Sequence, residues 1–496
     1  MHTKIRNLII ICVIVAGPFT NITAQDNTLY FMHRVPQAIH TNPALMYYCW
    51  TYVELPVLSS IRYSYANTAF GYHDALHYGT GSRADSIIID VPNLKKKLHK
   101  RNYIRNDLTL NILGAGFRIS DYYFHLNVSN HLETRVGFPG GLIDLTDGNW
   151  DSAKEKPMDI NLGGLGATAV NYLQIAAGVA TEWTDGLYIG ATAKYLMGTA
   201  NVVSRRTSLM IETASDPFVL DVSSNYKINA SFPITLSYDS IGLVTDVDVG
   251  SAGDNIVRDF ILNKNRGFAL DAGAIYKYTD QITLSASVVD LGFIRWKSNP
   301  NRLTSVGDAS FRGFDLNELM DDPGQTDLVE SLVDSVINVW EFTNSTDPYW
   351  TMLTTKIYLG GQYQIIPKVG FGGLVKAEFY DSRPHLSTTL SANVKPFKWL
   401  SGTLSYSIMN NKLWNLGGGF AIGGPGVQFY FVADHIPVRF VSFDGIPIPY
   451  NARTLNFQFG FNLIFGCVEE EKSGRGRPPS GRPGGRSRKK LCPAYD

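Results

Sequence analysis

After its first 25 residues, the sequence lacks any apolar run long enough to form a membrane-spanning helix. A helical span needs about 20 consecutive apolar residues, and the remainder of the 496-residue chain contains no such run. This excludes a helical membrane protein. It does not exclude a β-barrel, because barrel strands alternate apolar and polar side chains and give only a weak hydropathy signal.

The chain also lacks an excess of charge of either sign. It has 44 basic and 44 acidic residues, which argues against nucleic-acid binding. It lacks a Gly-x-Ser-x-Gly nucleophile elbow, and its Gly-x-Gly stretch near residue 163 has no βαβ setting. We therefore predict no enzyme activity, no cofactor and no metal site.

What the sequence does contain is strict alternation, most clearly in "LNFQFGFNLIF" at 455–465. Leu and Phe occupy every second position, and Asn456, Gln458 and Asn462 stand between them. Period two indicates a β-strand with one apolar face. A soluble sandwich would bury that face against a second sheet, whereas a transmembrane barrel would turn it to lipid.

The turns along the chain favour the barrel. Short turns such as Thr184-Asp185-Gly186 and Thr279-Asp280 fall at one end of the predicted strands, and the long connections 297–352 and 434–453 fall at the other. A transmembrane barrel requires this sorting into a periplasmic and an outer side. We predict an all-β fold, a transmembrane antiparallel outer-membrane β-barrel of 14–16 strands spanning residues 56–466.

The alternation also predicts which side chains face the lumen. Besides Asn456, Gln458 and Asn462, the inward phase includes Lys194, Asp271 and Lys277. The insertion 297–352 is expected to lie outside the cell and to carry one helix, because apolar residues recur at i+4 from Leu328 to Trp340.

The two ends of the chain differ from the middle. Residues 1–24 read as a signal peptide, with Lys4 and Arg6 before a short apolar core. Residues 467–496 are rich in Gly, Pro and Arg, and are expected to form a disordered basic periplasmic tail. Such a tail is either simply solvated or attracts anionic lipid or a periplasmic or secretion-system protein. In an exported protein, Cys467 and Cys492 are the expected disulfide pair because both lie in the terminal region.

Three stretches carry a resemblance to a known family: "LYFMHRVPQAIHTNPAL" at 29–45, "DLGFIRW" at 290–296 and "FVADHIP" at 431–437. Together they resemble an outer-membrane barrel family of Bacteroidota classed as a domain of unknown function. More distantly, the chain is similar to the FadL, PorV and PorP/SprF-type barrels. The resemblance implies a monomeric barrel with residues 25–55 folded into the lumen as a plug, in which Asn42, Pro43 and Ala44 form a turn.

Two functions follow as hypotheses. The first is a FadL-like channel for a hydrophobic small molecule, which an apolar lumen pocket with a lateral opening would favour. The alternative is a non-transporting scaffold in a type IX secretion, gliding or surface-assembly complex, which a fully plugged lumen and a required tail would favour. In both cases the expected partners include outer-membrane lipid and exclude nucleic acid.

Overall fold

The computed structural model describes residues 27–467 except for short stretches in the connections between strands. These exceptions are 72–73, 75, 80, 82–85, 145, 147–149, 152–154, 215–218, 233–234, 239–243, 249–262, 312–340, 381–382, 410–411, 435–439, 444–445 and 450–452. No helix among the described residues is long and apolar enough to cross a membrane.

Fourteen antiparallel strands close into a barrel, which confirms the predicted all-β transmembrane fold. Each strand pairs with the next along the chain, and the last also pairs with the first. The first strand has two halves, β1a (Cys49–Glu54) and β1b (Ile61–Asn67). The others are β2 (Asn102–Ile119), β3 (Tyr122–Phe138), β4 (Gly166–Thr184), β5 (Leu187–Thr213), β6 (Arg266–Lys277), β7 (Ile282–Trp296), β8 (Thr355–Ile366), β9 (Val369–Tyr380), β10 (Arg383–Phe397), β11 (Leu400–Met409), β12 (Lys412–Gly423), β13 (Gly426–Asp434) and β14 (Thr454–Cys467).

Of the predicted range of 14–16 strands, the count is 14, because β5 pairs directly with β6 and the chain between them does not add wall strands. The strand Leu220–Ser231 turns back onto the outer half of β5. It continues into an outer sheet with Pro300–Phe311 and Glu341–Ser345. The 27-residue length of β5 follows from this, since its upper part belongs to the outer sheet and its lower part to the barrel.

The connections on the outer side carry the remaining elements. Two short strands extend the main sheet: Ile160–Asn161 beside β5 and Tyr349–Met352 beside β7. Two short α-helices, Val91–Lys97 and Gly141–Asp144, lie in the first two outer connections. Two-stranded hairpins are Leu76–Tyr78 with Ile87–Ile89, Trp150–Asp151 with Lys156–Pro157, Thr235–Tyr238 with Val244–Asp248, and Phe440–Phe443 with Ile446–Pro449.

The helix predicted within 297–352 falls at 328–340, which lies outside the described residues. The described parts of this insertion are strands that belong to or border the outer sheet.

The outward face of the wall is apolar, with aromatic residues at its rim. Large exposed side chains include Leu270, Leu390 and Leu404 along the strands, and Trp183 and Trp399 beside the periplasmic turns. A closed barrel with an apolar band and aromatic girdles is the form in which strands cross a membrane. The protein is therefore a bacterial outer-membrane β-barrel, as predicted.

Strand β14 shows how the alternation is used. Phe461 and Phe465 are 37% and 50% exposed on the outer face, whereas Asn456, Gln458 and Asn462 are buried inside the barrel. Because successive side chains of a strand point to opposite faces, a single register places both sets.

The predicted disulfide between Cys467 and Cys492 is wrong. Cys467 is bonded to Cys49, which lies 418 residues away in sequence, and Cys492 lies outside the described residues. Closure of the barrel explains the pairing: β1a and β14 are neighbours, so the first residue of the wall faces the last. Sequence proximity was a poor guide because the seam of a barrel joins the two ends of the chain.

Substituting Cys49 by Ser should remove this cross-link and lower the free energy of unfolding by about 2–5 kcal/mol, since the disulfide constrains the unfolded chain. Electrophoretic mobility with and without reductant, together with thermal unfolding in detergent, would measure both effects. Cys492→Ser is the matched control and should change neither. If Cys492→Ser instead loses the cross-link, the bond joins Cys467 to Cys492, as predicted from the sequence, and not to Cys49.

Substituting Phe461 by Arg should cost roughly 2–4 kcal/mol, because a lipid-facing cation near mid-membrane is poorly solvated. Phe461→Leu, which keeps an apolar side chain, is the control. Denaturant titration of the folded barrel measures the difference. Equal stability of the two variants would show that this face does not meet lipid.

Candidate functional site

A segment before the first wall strand fills the lumen. Residues 27–48 form two short 3-10 helices, Leu29–Phe31 and Pro36–His40, and most of their side chains are buried. We call residues 27–48 the plug. The predicted plug extended to residue 55, but Cys49–Glu54 is a wall strand because it pairs with both β14 and β2.

The wall accommodates the plug at glycines that point inward. A Cβ added at Gly190 would collide with the carbonyl of Pro43, and one at Gly273 would collide with Asn42. Both contacts place the plug's backbone or a short side chain directly against a wall strand. An added Cβ would likewise collide with a plug side chain at four other wall glycines: Gly360 with Tyr30, Gly372 with Phe31, Gly417 with Thr28 and Gly419 with Met32.

The sequence-predicted motif Asn42, Pro43 and Ala44 forms a turn at the point where the plug meets β5 and β6. The side-chain oxygen of Asn42 accepts a hydrogen bond from the backbone N–H of Ala44 at 3.0 Å. This Asx-type bond, with Pro43 at the corner, fixes the bend locally. A role for the motif beyond this turn stays a prediction.

The beginning of the plug forms hydrogen bonds with hydroxyl and carboxylate groups of the wall strands β10, β11 and β13. Thr28 donates from its backbone N–H to Asp434 at 3.1 Å, and its hydroxyl bonds to Asp434 and to Ser405. Asn27 donates to Thr389 at 2.8 Å. The plug is thus fixed near its start by hydrogen bonds and at its base by the disulfide of Cys49.

Apolar and aromatic side chains of the wall pack against the plug, between the polar wall residues that hydrogen-bond to it. Leu45, Met46 and Tyr47 of the plug pack against one group of wall residues, while Met32 and Phe31 pack against two others. The inward-facing wall residues of these clusters are Tyr52, Tyr123, Tyr188, Ile275, Tyr358, Leu374, Tyr430 and Ile464. We call the part of the lumen that the plug fills the lower chamber.

Charged side chains meet in the lumen on β5 to β8. The Lys194 ammonium lies 2.7 Å from Asp271 and 2.5 Å from Asp290, and Lys356 lies 2.9 Å from Asp290. Two cations and two carboxylates thus compensate one another where burial would otherwise be costly. Lys194 and Asp271, both predicted from sequence, are brought together. Lys277 is not part of this group and lies at the periplasmic end of β6.

Asp290 escaped prediction because it sits in a β-bulge. Its φ is +62°, and the pairing of β6 with β7 shifts register beside it. The bulge turns its carboxylate towards both lysines, while its backbone N–H donates to Asp271 at 2.8 Å. Bulges commonly re-aim a side chain in this way. The only sequence signal was the position of Asp290 at the start of the "DLGFIRW" block.

A second charged group crosses the lumen. Arg105 on β2 pairs with Asp107 at 2.7 Å and with Glu378 on β9 at 3.2 Å, and Lys376 also pairs with Glu378 at 2.7 Å. In a ring of fourteen strands, β2 and β9 lie on opposite sides. The bridge from Arg105 to Glu378 therefore spans the lumen on the outer side of the lower chamber. We call these two charged groups the charge layer.

The first wall strand is interrupted between its two halves. Six residues, Leu55–Ser60, separate β1a from β1b, although only Gly460 and Phe461 separate their partners on β14. The surplus forms a turn in which the N–H of Ser59 bonds to the carbonyl of Leu55 at 3.0 Å. Val57 has a φ of +63°, which is costly for a β-branched residue. The interruption is thus a strained, irregular part of the wall.

A polar cluster behind the interruption ties it to the plug. The buried carboxylate of Glu54 accepts hydrogen bonds from Gln37 at 3.1 Å and from Asn111 and Asn127 at 3.2 Å each. Gln37 also donates to Asn462 at 2.7 Å. Asn462 was predicted to face the lumen, whereas Glu54 and Gln37 were missed because they stand outside any long alternating run.

The remaining predicted lumen residues also border this region. Gln458 donates to the hydroxyl of Ser60 at 2.8 Å. Asn456, two residues nearer the outer end of β14, is also buried. A functional role for these residues stays a prediction.

Comparison with models of known protein families identifies the family of this chain. A family model matches residues 43–434, which include most of the wall and the end of the plug. The chain belongs to the family of unknown function DUF5723. No curated protein matches this DUF5723 member in sequence.

Solved structures with a similar course of the chain include two toluene transporters and a FadL homologue. The toluene transporter TbuX of Ralstonia pickettii has 10% identity and a TM-score of 0.40, with 90% of this chain and 96% of that chain covered. The toluene transporter TodX of Pseudomonas putida has 10% identity and a TM-score of 0.38, covering 86% and 94%. A FadL homologue of Pseudomonas aeruginosa has 11% identity and a TM-score of 0.37, covering 91% and 100%. Similarities this low do not establish a shared activity.

Gly190→Ala should displace the plug, because the new Cβ would meet the backbone of Pro43, and overpacking of this kind costs about 1–3 kcal/mol. Thermal unfolding and the rate of tryptic cleavage at Arg34 in the plug would report it. Gly373→Ala is the control, since its Cβ would point outward with its nearest neighbour, Leu390, at 4.0 Å. If the two variants unfold at the same temperature and are cleaved at the same rate, the close contact between Gly190 and Pro43 would be contradicted.

Proposed function

We propose that this DUF5723 protein is a FadL-like channel for a hydrophobic small molecule. The observation that carries the proposal is the lower chamber, where clusters of large apolar and aromatic wall side chains pack against apolar side chains of the plug. Sites for such molecules are concave and mainly apolar. A plug that withdraws from this chamber would leave a cavity of the required chemistry.

The interruption of β1 supplies the route between the chamber and the membrane. A regular ladder in lipid is costly to open because each freed backbone group loses its partner. At residues 55–60 the regular ladder is already replaced by isolated hydrogen bonds. One of them runs from the N–H of Phe461 to the carbonyl of Leu58. Gln37 connects the plug to Glu54 beside the same gap. Movement of the plug and opening of the wall are thereby coupled.

This route does not require the charge layer to part. Asn111, which bonds to the carbonyl of Ser60, stands on β2 six positions nearer the periplasmic end than Arg105. The lateral gap therefore lies on the periplasmic side of the bridge from Arg105 to Glu378. A small recess lies between the plug and β6 to β8, bordered by Tyr30, Leu45 and Ile275 and by polar residues such as His33, Ser285 and Gln362.

The second candidate is a non-transporting component of a secretion, gliding or surface-assembly complex. The observation that favours it is the way the plug is fixed, seated on wall glycines and covalently bonded at its base. A plug held in this way has no need to move. The outer sheet on β5 then offers a surface outside the membrane, and the basic tail, which lies outside the described residues, is the other expected contact.

A disulfide that locks the plug separates the two candidates. The hydroxyls of Thr28 and Ser405 lie 2.6 Å apart, so cysteines at both positions place their sulfurs within bonding reach. The control pair is Asn393 and Thr403, whose side-chain oxygens lie 2.9 Å apart on neighbouring wall strands and whose linkage restrains no plug residue. Heat-dependent electrophoretic mobility would verify that each variant folds.

Uptake of labelled toluene and labelled oleate by cells bearing each variant is the measurement. The channel predicts a drop of at least about tenfold when Thr28→Cys/Ser405→Cys is oxidised, recovery on reduction, and no change in the control pair, because passage requires the chamber to empty. Uptake that is the same in the locked and unlocked states would contradict the channel. Protein partners that co-purify equally with locked and unlocked protein would then support the scaffold.

A further inference from the structure

A basic segment lies in the connection between β1b and β2, on the outer side of the barrel. Residues 95–101 contain five Lys and Arg residues and no Asp or Glu, in a chain whose formal net charge is zero. The segment begins in the last turn of the helix Val91–Lys97 and ends where β2 begins at Asn102. We call residues 95–101 the basic segment.

The backbone of the basic segment is fixed by the residues around it. The side chain of Asn102 is fully buried and accepts a hydrogen bond from the N–H of His99 at 3.0 Å. It also donates to the carbonyls of His99 at 2.8 Å and of Phe138 at 3.2 Å. The next outer connection packs closely on this turn, since a Cβ added at Gly140 would lie 2.8 Å from the carbonyl oxygen of His99. The segment is therefore presented on a built frame.

Two lysines of the basic segment are paired within the protein. Lys95 lies 3.0 Å from Asp144, and Lys97 lies 3.4 Å from Asp74. The other three cations are exposed and form no ion pair among the described residues. They are Lys96, Lys100 and Arg101. Their charge is therefore available to an anionic partner outside the protein.

The length of β2 shows how far the basic segment stands from the membrane. Ile119, at the periplasmic end of β2, is 58% exposed at the lower rim of the barrel. From there β2 rises roughly 40 Å along the membrane normal, at about 3.3 Å per residue and a tilt of about 40°. The apolar band of such barrels is about 25 Å tall, and the headgroup layer beyond it adds about 5–8 Å. The basic segment therefore lies beyond the bilayer phosphates, at the level of polymers on the cell surface.

The composition of the basic segment favours a polysaccharide over a protein as the partner. Stable protein interfaces are organised around buried apolar and aromatic side chains and are depleted in Lys. Four of the seven residues here are Lys, and the one apolar residue, Leu98, is already half-buried. Short clusters of Lys and Arg are typical of sites that bind heparin-like acidic polysaccharides. Such polymers carry regularly spaced anions and need no apolar anchor.

We propose that the basic segment binds an acidic polysaccharide at the outer surface of the cell, through Lys96, Lys100 and Arg101. The three cations form charge-assisted hydrogen bonds with anionic groups of the sugar chain. Because the backbone is already fixed, binding has to order only the side chains, which lowers its entropic cost. The inference is independent of the channel, because no residue of the plug, the lower chamber or the charge layer takes part.

Binding of labelled polygalacturonate, a carboxylated polysaccharide, to intact cells that carry the full chain tests this site. Intact cells present only the outer side of the barrel to the probe. Cells with the wild-type protein should bind polygalacturonate more than cells without it, and should not bind neutral dextran. Lys96→Gln/Lys100→Gln/Arg101→Gln should weaken the apparent affinity at least about tenfold, since each exposed cation contributes up to about fivefold.

The matched control removes three cations elsewhere on the outer side. It is Lys227→Gln/Lys264→Gln/Lys297→Gln, with one change in the outer sheet and two at the outer ends of β6 and β7. This control alters the net charge by the same amount and should leave binding unchanged. Heat-dependent electrophoretic mobility would verify that each variant folds, and surface labelling would verify equal amounts of protein.

Two results would overturn the proposal. Equal binding of polygalacturonate by the wild-type protein and the basic-segment variant would show that these cations take no part. Unlabelled polyglutamate that displaces the labelled probe more effectively than unlabelled polygalacturonate, at equal charge, would identify an acidic polypeptide as the partner instead. Lys96→Arg/Lys100→Arg/Arg101→Lys keeps every charge and should bind as the wild type does, so a loss of binding there would also count against the site.

Discussion

In the hydrocarbon of a membrane, a peptide group has no water with which to form hydrogen bonds, so each must find its partner within the protein. The structure of this chain follows from that constraint. Fourteen strands satisfy it by closing on one another, and closure brings Cys49 and Cys467 together. A ring of this size encloses more space than its own inward side chains fill. The chain fills this interior in two chemically different ways.

On the periplasmic side, the interior is filled by apolar packing. The plug brings large side chains such as Tyr30 and Phe31, and the wall provides glycines on which they sit. On the outer side, ion pairs between wall residues span the interior, as between Arg105 and Glu378. Packing holds a segment that is separable from the wall, whereas the ion pairs belong to the wall itself. Under the proposed channel function, the plug is therefore the element that moves.

The wall was predictable from sequence because its pattern is local. In β14, the alternation of Phe with Asn and Gln fixes which side chains meet lipid without any knowledge of neighbouring strands. Lys194 and Asp271 were placed in the lumen by the same alternation, and their pairing required only that β5 and β6 be adjacent. Asp290 was missed because a bulge breaks the alternation beside it. The contact of Glu54 with Gln37, and that of Cys49 with Cys467, depend on the closed ring and have no local signal.

The bond between Cys49 and Cys467 makes the whole wall a covalent macrocycle, from which the plug and the C-terminal tail emerge as two side branches at a single junction. A pull applied between those branches runs through the junction and bypasses the strands altogether. The hydrogen bonds that hold the barrel in the membrane would carry none of that tension. A pull between the two branches therefore does not unzip the wall.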